Sequence, residues 1–309
     1  MYFLFIFLLA VVIDLTLGEP PHLIHPVVWM GKVISLLIKD GGGRSPAIQF
    51  FYGLVVVVVT VGIFTIPVYL LLFYLRNHSP LAYIVLAAII LKTTFSIKEL
   101  RNSALKVRDY LAADKLTEAR FELRSLAGRN TSQLDKSLIV SATVESVAEN
   151  SCDSFVAPLF YFLFFGVPGA VVYRAINTLD SMIGHRGEFE YLGKFAARLD
   201  SIVNFIPARI TALVIVLAAR IQGKNASGAW QIMWRDRSRT ASPNAGWTMS
   251  AIAGALDVQL EKVGYYKLGD NHNSLSVSTI DASLQIVMTA ALIWSLLLVI
   301  TGVIYYVTT

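Results

Sequence analysis

Long apolar stretches run from one end of this chain to the other, and they constrain its fold more than any other feature. A membrane-spanning helix needs about 20 mostly apolar residues. Clear candidates occur at 46–75, 81–97, 202–221 and 283–307. Only 15% of the 309 residues are charged, whereas soluble domains carry about a quarter. The sequence therefore predicts an all-α, polytopic integral membrane protein with four to six membrane segments, forming a single membrane domain over residues 1–309.

Two further apolar stretches are less regular. Residues 2–17 form a short one, and residues 155–176 contain two prolines and two glycines, among them Pro158 and Gly166. The second stretch is expected to be a broken helix or a re-entrant hairpin, and its prolines and glycines favour the re-entrant alternative. Lys92, near the end of an apolar stretch, is expected to extend its ammonium group to the membrane interface.

The polar connections predict the orientation of the chain. The segments 98–153 and 223–282 contain nine and six basic residues, and basic loops usually face the cytoplasm. Within the first of them, residues 98–136 have the leucine spacing of amphipathic helices and are expected to form a cytoplasmic helical hairpin that breaks at Gly128. The sequence predicts a multi-pass protein of the cell membrane with its polar segments in the cytoplasm. The excess of basic residues in cytoplasmic loops accounts for the net charge of +5. The expected partner is therefore the lipid bilayer, and no nucleic-acid partner is expected.

The first polar motif follows the first apolar stretch. Asp14 stands at the end of that stretch, where an ionised carboxylate is costly unless it is paired or faces water. The alternative is a solvated residue at the interface. Three prolines after it, including Pro20 and Pro21, restrict the backbone and are expected to hold Glu19 and His25 in place.

The second motif is acidic. Glu145, Glu149 and Asp153 are spaced four residues apart, so a helix would place them on one face. Carboxylate oxygens suit Mg²⁺, which usually keeps water and bridges to phosphates. Asn150 adds an amide beside them. The alternative is a solvated acidic face of a helix.

Two more motifs combine acids with amides. Asn177 and Asp180 fall on one face of a helix, and the alternative to a functional role is hydrogen bonding between packed helices. Asp200 and Asn204 precede an apolar stretch that also holds Arg209. The Arg209 guanidinium could bind a phosphate or pair with Asp200, and the sequence does not decide between them.

The last motif is basic. Arg235 and Arg237 precede the turn Ser242-Pro-Asn244-Ala-Gly-Trp. Guanidinium groups match the geometry of phosphate and carboxylate, so this motif suits an anionic ligand. The arginines could instead serve membrane topology.

These blocks together resemble the adenosylcobinamide-phosphate synthase family, often written CobD or CbiB. The resemblance covers residue 14 to about residue 269. The matching strings are Asp14-x-x-x-Gly-Glu-Pro with His25-Pro-Val; Glu145-Ser-x-x-Glu-Asn-x-x-Asp; Asn177-Thr-Leu-Asp-Ser-Met; Ala197-Arg-Leu-Asp with Asn204 and Pro207-Ala-Arg; and Ser242-Pro-Asn-Ala-Gly-Trp followed by Ala253-Gly-Ala-Leu. His185 departs from the family, which commonly has an aromatic residue after Gly184.

The resemblance implies an ATP-dependent amide synthesis in cobalamin biosynthesis. An amino-alcohol phosphate such as aminopropanol phosphate would be joined to a side-chain carboxylate of the corrinoid adenosylcobyric acid, giving adenosylcobinamide phosphate. ATP would serve as co-substrate, with Mg²⁺ as the cofactor. Association into a homo-oligomer is compatible with the sequence.

The implied reaction assigns roles to the residues of the motifs. The expected metal ligands are Glu145, Glu149 and Asp153. The expected catalytic residues are Asp14, Glu19, Asn177 and Asp180. The residues expected to bind substrate or phosphate are His25, Asn150, Asp200, Asn204, Arg209, Arg235, Arg237, Ser242 and Asn244.

Two other functions fit parts of the sequence. A transporter for an anionic solute would also use broken helices and intramembrane acids, and it would be expected to contain an inverted repeat, which this chain lacks. A membrane phosphotransferase acting on lipid alcohols would normally carry a dense aspartate-rich motif, which Glu145, Glu149 and Asp153 imitate only loosely.

Overall fold

The computed structural model describes residues 2–39, 41, 43, 45–185, 187 and 189–308, and helices account for 75% of it. The predicted helical class is confirmed. The helices are α1 (Tyr2–Thr16), α2 (Pro26–Ile38), α3 (Pro46–His78), α4 (Pro80–Lys92), α5 (Lys98–Ala112), α6 (Leu116–Leu123), α7 (Lys136–Ser151), α8 (Ala157–Ile183), α9 (Lys194–Val203), α10 (Phe205–Ile221), α11 (Ala226–Asp236), α12 (Ala245–Leu256) and α13 (Val277–Thr308). A π-helical turn, Cys152–Val156, lies between α7 and α8.

Three helical stretches are long and apolar enough to cross a membrane: Pro46–His78, Lys136–Ile183 and Val277–Thr308. Counting α9 and α10 as one bent span gives a fourth. Large apolar side chains of α3, such as Phe51 and Phe73, are exposed, as expected for a surface that contacts lipid rather than water. The protein is therefore a polytopic helical membrane protein, as the sequence predicts.

Some predicted boundaries need correction. The stretch predicted at 81–97 is helix α4, which ends at Lys92 and has only 13 residues. The stretch predicted at 155–176 belongs to a longer helical run, and Gly166, at φ 66° and ψ −163°, makes a kink inside α8. The broken-helix interpretation of this stretch therefore agrees with the backbone.

The region 98–136 contains two packed helices, α5 and α6, as predicted. The break between them is at Ala113–Lys115, where Asp114 has a φ of 55°, and not at Gly128 as predicted. The cytoplasmic location of this pair stays a prediction. One element was not predicted at all: a hairpin of two antiparallel strands, β1 (Leu260–Lys262) and β2 (Tyr266–Leu268).

Contacts divide the chain into two units. The first unit comprises residues 1–96, 157–204 and 299–309. Its apolar core lies where α2, α3, α8 and α9 meet, and its central members are Ile34, Val57, Leu179, Ile183 and Leu192. Helix α1 packs against α4 in the same unit. This unit holds the motifs of α1, α8 and α9.

The second unit comprises residues 97–156 and 205–298. Helices α11 and α12 form its closest helix pair, and they meet at Gly228 and Gly254. A Cβ atom at Gly254 would lie 2.3 Å from the carbonyl oxygen of Gly228, so only glycine allows this approach. Helix α7 packs against α5, α6, α12 and β1, which surrounds its acidic motif with protein. The predicted single membrane domain stays a prediction.

Candidate active site

The motif around Asp14 forms a buried ionic cluster with Lys92. The ammonium nitrogen of Lys92 lies 3.0 Å from Asp14 Oδ1 and 2.6 Å from Glu19 Oε1. The Asp14 and Lys92 side chains are 0% and 2% exposed. The prediction that Lys92 extends to the interface is therefore wrong. Its charge is neutralised inside the protein, since an unpaired charge in an apolar region is costly.

His25 completes this cluster. Its Nδ1 accepts a hydrogen bond from the Val27 backbone N–H, 3.2 Å away, which caps the start of α2. Its Nε2 therefore carries the proton and donates it to Glu19 Oε2 over 2.8 Å. Both ring nitrogens are engaged, so these contacts do not support the predicted role of His25 in phosphate binding.

Glu19 is held as a carboxylate by this cluster. Burial raises its pKa, but hydrogen bonds from His25, Lys92 and Ser96 outweigh that effect and lower the pKa to about 2. A carboxylate so weakly basic is a poor proton acceptor near neutral pH. The contacts of Asp14 and Glu19 favour a role in holding α1, α4 and the proline loop together over their predicted catalytic role.

A second polar cluster joins α8 to α9. The Tyr173 hydroxyl donates to Asn204 Oδ1 over 2.9 Å, and the Asn204 amide donates to Asp200 Oδ2 over 3.1 Å. Asn177 also hydrogen-bonds to Asp200, and Asp180 lies close enough to interact with Asp200 electrostatically. The structure thus brings together four predicted site residues, two carboxylates and two amides, within one unit.

Glu145, predicted as a metal ligand, is buried and fully engaged. Its Oε1 accepts from the Ser141 hydroxyl over 2.7 Å. Its Oε2 accepts from the Tyr266 hydroxyl over 2.7 Å and from the Arg129 guanidinium. Burial and the negative charge of Glu145 raise the pKa of Tyr266, so Tyr266 stays a hydrogen-bond donor. Glu145 is therefore the counter-ion of Arg129, and its oxygens do not fit the predicted role of metal ligand.

The other two carboxylates of this motif are only partly buried. Asp153 lies in the π-helical turn that follows α7, where i→i+5 bonding replaces the regular α-helical repeat. Asn150 donates to the backbone oxygen of Ser146. In the part of the chain that the structure describes, no group of three or more acidic, histidine or cysteine side chains could hold a metal ion. Of the predicted three, Glu149 and Asp153 keep part of their surface exposed, and carboxylate oxygens are of the type that Mg²⁺ uses.

Arg209 lies among aromatic rings. It donates to Asn244 Oδ1 over 3.2 Å and to the Phe205 carbonyl oxygen. Its guanidinium carbon lies 3.4 Å from the centre of the Phe205 ring and 4.7 Å from that of Trp247. Ser242 Oγ accepts from the backbone N–H of Asn244 and fixes the turn. Three predicted binding residues therefore belong to one local cluster.

The arginines of α11 and the loop after it have different surroundings. Arg237 stacks over Trp234 at 4.5 Å and Trp247 at 5.3 Å. Arg235 instead forms two hydrogen bonds to the buried Asp236 and one to Asp270. These bonds raise the pKa of Arg235, and the bond from Arg235 lowers the pKa of Asp270.

Asp236 also accepts the Gly269 backbone N–H over 2.8 Å. The prediction that Arg235 binds phosphate is not supported, because its donors already hold α11 to the end of β2. Arg237 and Arg209 stay predicted anion-binding residues.

Several residues of these clusters were missed by sequence reasoning. They are Lys92, Arg129, Tyr173, Asp236, Tyr266 and Asp270. A signal existed for Lys92, since a lysine and an aspartate inside separate apolar stretches are expected to pair. No signal in the sequence connects Arg129 or Tyr266 with Glu145, because those partners are 16 and 121 residues away.

Comparison with known proteins identifies the family. A family profile described as "CobD/Cbib protein" matches residues 7–288. A Dehalococcoides mccartyi protein named "Cobalamin biosynthesis protein CobD" is 51% identical over 306 residues, which is 99% of each chain. A Methanothermobacter thermautotrophicus protein named "Probable cobalamin biosynthesis protein CobD" is 44% identical over 86% of each chain.

A Methanocaldococcus jannaschii protein with the same name is 40% identical over 85% of this chain and 87% of its own. No solved structure matches the chain. The profile and these relatives span the ionic cluster of α1 and α4, the amide-carboxylate cluster of α8 and α9 and the arginine motifs that follow. The chain belongs to the CobD/CbiB family.

Proposed function

We propose that this protein is an ATP-dependent amide ligase of cobalamin biosynthesis, located in the cell membrane with its active site facing the cytoplasm. It joins an amino-alcohol phosphate to a side-chain carboxylate of adenosylcobyric acid, and the product is adenosylcobinamide phosphate. The observation that carries the proposal is the 51% identity, over 99% of both chains, with a protein named for cobalamin biosynthesis. The clusters of carboxylates, amides and guanidinium groups support it.

The chemistry requires activation of the corrinoid carboxylate, which is a poor acyl donor. The γ-phosphoryl group of ATP passes to a carboxylate oxygen, which gives an acyl phosphate and ADP. The amine nitrogen then attacks the acyl carbon, so that a C–N bond forms and the C–O bond to phosphate breaks. Inorganic phosphate leaves, and the nitrogen loses its extra proton to a base. This route accounts for every atom of the product.

Asp180 is the proposed base for that proton. Unlike Asp14 and Glu19, it does not belong to the ionic cluster of Lys92. Asp200 lies near it and is hydrogen-bonded by Asn177 and Asn204, so those amides are proposed to orient the acidic pair and the amine. Arg209 and Arg237 are proposed to hold a substrate phosphate or carboxylate, since guanidinium groups match both.

Glu149 and Asp153 are the residues proposed to hold Mg²⁺. When bound, Mg²⁺ neutralises the charge of the transferring phosphoryl group. Glu145 keeps Arg129 in place and takes no part in metal binding. The indoles of Trp230 and Trp234 are partly exposed and lie edge to face at 68°, and they are proposed to contribute apolar contacts to the corrinoid ring.

The proposal is tested by amide formation with the purified protein in detergent. The sample receives adenosylcobyric acid, aminopropanol phosphate, ATP and Mg²⁺, and each component is omitted in turn. We expect product only when all four are present. A folded, monodisperse sample that forms no product would contradict the proposal and would direct attention to solute uptake in vesicles.

The metal assignment is tested by the Mg²⁺ concentration that gives half-maximal activity. Glu149→Gln and Asp153→Asn are expected to raise it about tenfold each, because removing a charged ligand costs on the order of 1.4 kcal/mol or more. Glu145→Gln is the matched control. It should lower thermal stability but leave the Mg²⁺ requirement unchanged in the molecules that stay folded. If Glu145→Gln alone raised the Mg²⁺ concentration needed for half-maximal activity, the metal ligand would be Glu145 and not Glu149 or Asp153.

A further inference from the structure

A cavity on the first unit contains basic residues that the proposed reaction does not yet use. It has a volume of about 550 Å³ and lies between the end of α8 and the face of α9. Pockets for small ligands usually measure about 300–1,000 Å³, so the space suits a small metabolite. The lining residues that matter here are Gly184, His185, Glu190, Lys194, Arg198 and Ser201. We call it the α9 cavity.

Among the described side chains that line the α9 cavity, cations outnumber anions. Lys194 and Arg198 are four residues apart on α9, so they share one face of the helix. Among the described residues, neither forms an ion pair with a carboxylate. Glu190 is the acidic residue in the lining, and His185 adds an imidazole. The described lining therefore presents the cations Lys194 and Arg198 and the anion Glu190.

The backbone adds to that charge. Lys194 is the first residue of α9, and the N-cap residue, Gly193, has no side chain that could cap the helix. The first N–H groups of a helix carry a positive partial charge. Ser201, one turn beyond Arg198, adds a hydroxyl to the wall. Cations, a helix start and a hydroxyl all favour a ligand with several anionic oxygens.

The α9 cavity adjoins the amide-carboxylate cluster of the same unit. Gly184 forms part of its wall, and a Cβ atom at Gly184 would lie 1.9 Å from Asp180 Oδ1. Only glycine therefore leaves room for the Asp180 side chain at this position. The carboxylate of Asp180, the proposed base, therefore lies at the Gly184 side of the cavity wall.

We propose that the α9 cavity binds the phosphate group of a phosphorylated substrate, with Lys194 and Arg198 holding its oxygens and Ser201 forming part of the wall. This proposal rests on the proposed function for the identity of the substrates. The bound phosphate group belongs either to the amino-alcohol phosphate or, as the terminal phosphate, to ATP. The position beside Asp180 places the reacting amine or phosphoryl group within the unit that holds the acidic pair.

The test is binding, measured by isothermal titration calorimetry on the full-length protein in detergent. Aminopropanol phosphate and ATP are titrated separately, without the corrinoid, so that no turnover occurs. The variants are Lys194→Gln, Arg198→Gln and the double variant. Each single variant is expected to raise the Kd of one of the two ligands about tenfold or more, since a charge-assisted hydrogen bond contributes on the order of 1.5–3 kcal/mol. The ligand whose Kd rises identifies the source of the phosphate.

Two controls separate a specific site from a general loss of charge. Lys32→Gln removes the same charge from an exposed lysine of the same unit, outside the α9 cavity, and should leave both Kd values unchanged. Lys194→Arg and Arg198→Lys keep the charges and should restore most of the affinity. Ala197→Glu places a carboxylate in the wall between the two cations and should weaken binding as the double variant does.

The outcomes also distinguish this proposal from the proposed function. If the wild type makes the amide but the double variant binds both ligands with wild-type affinity, the cavity assignment is overturned and the ligase stands. If the wild type makes no amide but the double variant loses phosphate binding, the ligase is overturned and the cavity assignment stands. Equal losses in Lys32→Gln and the double variant would also overturn the assignment, because the effect would then be one of net charge.

Discussion

At the residue scale, the pairing of Lys92 with Asp14 is the contact with the largest expected effect on stability. Lys92→Met would leave Asp14 buried without its cation, and breaking a buried ion pair in this way costs about 3–5 kcal/mol. We expect a large drop in the midpoint of thermal unfolding in detergent. The double variant Asp14→Asn/Lys92→Met should recover part of the loss, because residue 14 is then uncharged, while Glu19 keeps only its other hydrogen bonds, from His25 and Ser96.

The control for that experiment is Lys32→Met, which removes a lysine from an exposed position of α2 and should change the midpoint little. If Lys32→Met and Lys92→Met lowered the unfolding midpoint equally, the loss of the pairing with Asp14 would not be the cause of the effect. A double variant less stable than Lys92→Met would mean that the two side chains do not interact as a pair.

Also at the residue scale, Glu19 makes the free energy of unfolding depend on pH. Its pKa falls from an ordinary value of 4.5 to about 2 in the folded protein. The folded state therefore binds this proton less readily than the unfolded state. The stabilisation is fully present above pH 4.5 and is lost as the pH falls from 4.5 towards 2. A shift of this size corresponds to at most roughly 3 kcal/mol, and water that reaches the partly exposed Glu19 side chain reduces this value.

Thermal unfolding in detergent between pH 5 and pH 2 checks this expectation. The wild type should lose stability through that range, and Glu19→Gln, which has no proton to gain, should have a flatter profile over the same range. Profiles of equal slope would show that Glu19 is not the group responsible.

At the element scale, the close approach of α11 and α12 depends on Gly254. Gly254→Ala would place a Cβ atom 2.3 Å from the Gly228 carbonyl oxygen, so the helices must move apart, at a cost of about 1–3 kcal/mol or more. Gly62→Ala, inside α3 with only an isoleucine methyl 3.8 Å away, is the matched control. It should be neutral or stabilising by about 0.5–1 kcal/mol, and equal losses in both variants would contradict the packing argument.

The elements themselves were largely predictable from local patterns. Proline residues at Pro46 and Pro80 begin α3 and α4, because proline is tolerated in the first turn of a helix. The hairpin of β1 and β2 could not be predicted, since its strands have three residues each and carry no alternating pattern long enough to detect. Its contribution to the site, Tyr266, was missed for the same reason.

The site was less predictable than the elements. Helical spacing puts Asn177 and Asp180 on one face of a helix, but the sequence did not predict that Asp200 and Asn204 lie beside them, because that contact depends on how α8 packs against α9. Spacing could not tell that Glu145 pairs with Arg129, or that Arg235 pairs with Asp236 and Asp270, since such pairs depend on tertiary packing. The residue types of each motif therefore predict what kind of ligand it could bind. Tertiary packing determines which of its charged side chains are already paired within the protein.

At the scale of the whole molecule, the distribution of basic residues predicts the orientation in the membrane. The segments 98–153 and 223–282 are rich in lysine and arginine and are expected in the cytoplasm. Single cysteines can test this, because Cys152 is buried and is the one cysteine of the chain. In a Cys152→Ser background, we would introduce exposed cysteines at Lys106, Lys224 and Asn77.

A membrane-impermeant maleimide should label Asn77→Cys in intact cells, because this residue lies in the last turn of α3, at the end that is expected on the opposite face of the membrane. Lys106→Cys and Lys224→Cys should react only after the membrane is permeabilised. The reverse pattern would place both basic segments outside the cell, where ATP is scarce, and would contradict both the predicted orientation and a cytoplasmic active site. Labelling of Lys106→Cys alone in intact cells would instead mean that the two segments lie on opposite faces, so that the number of spans between them is odd.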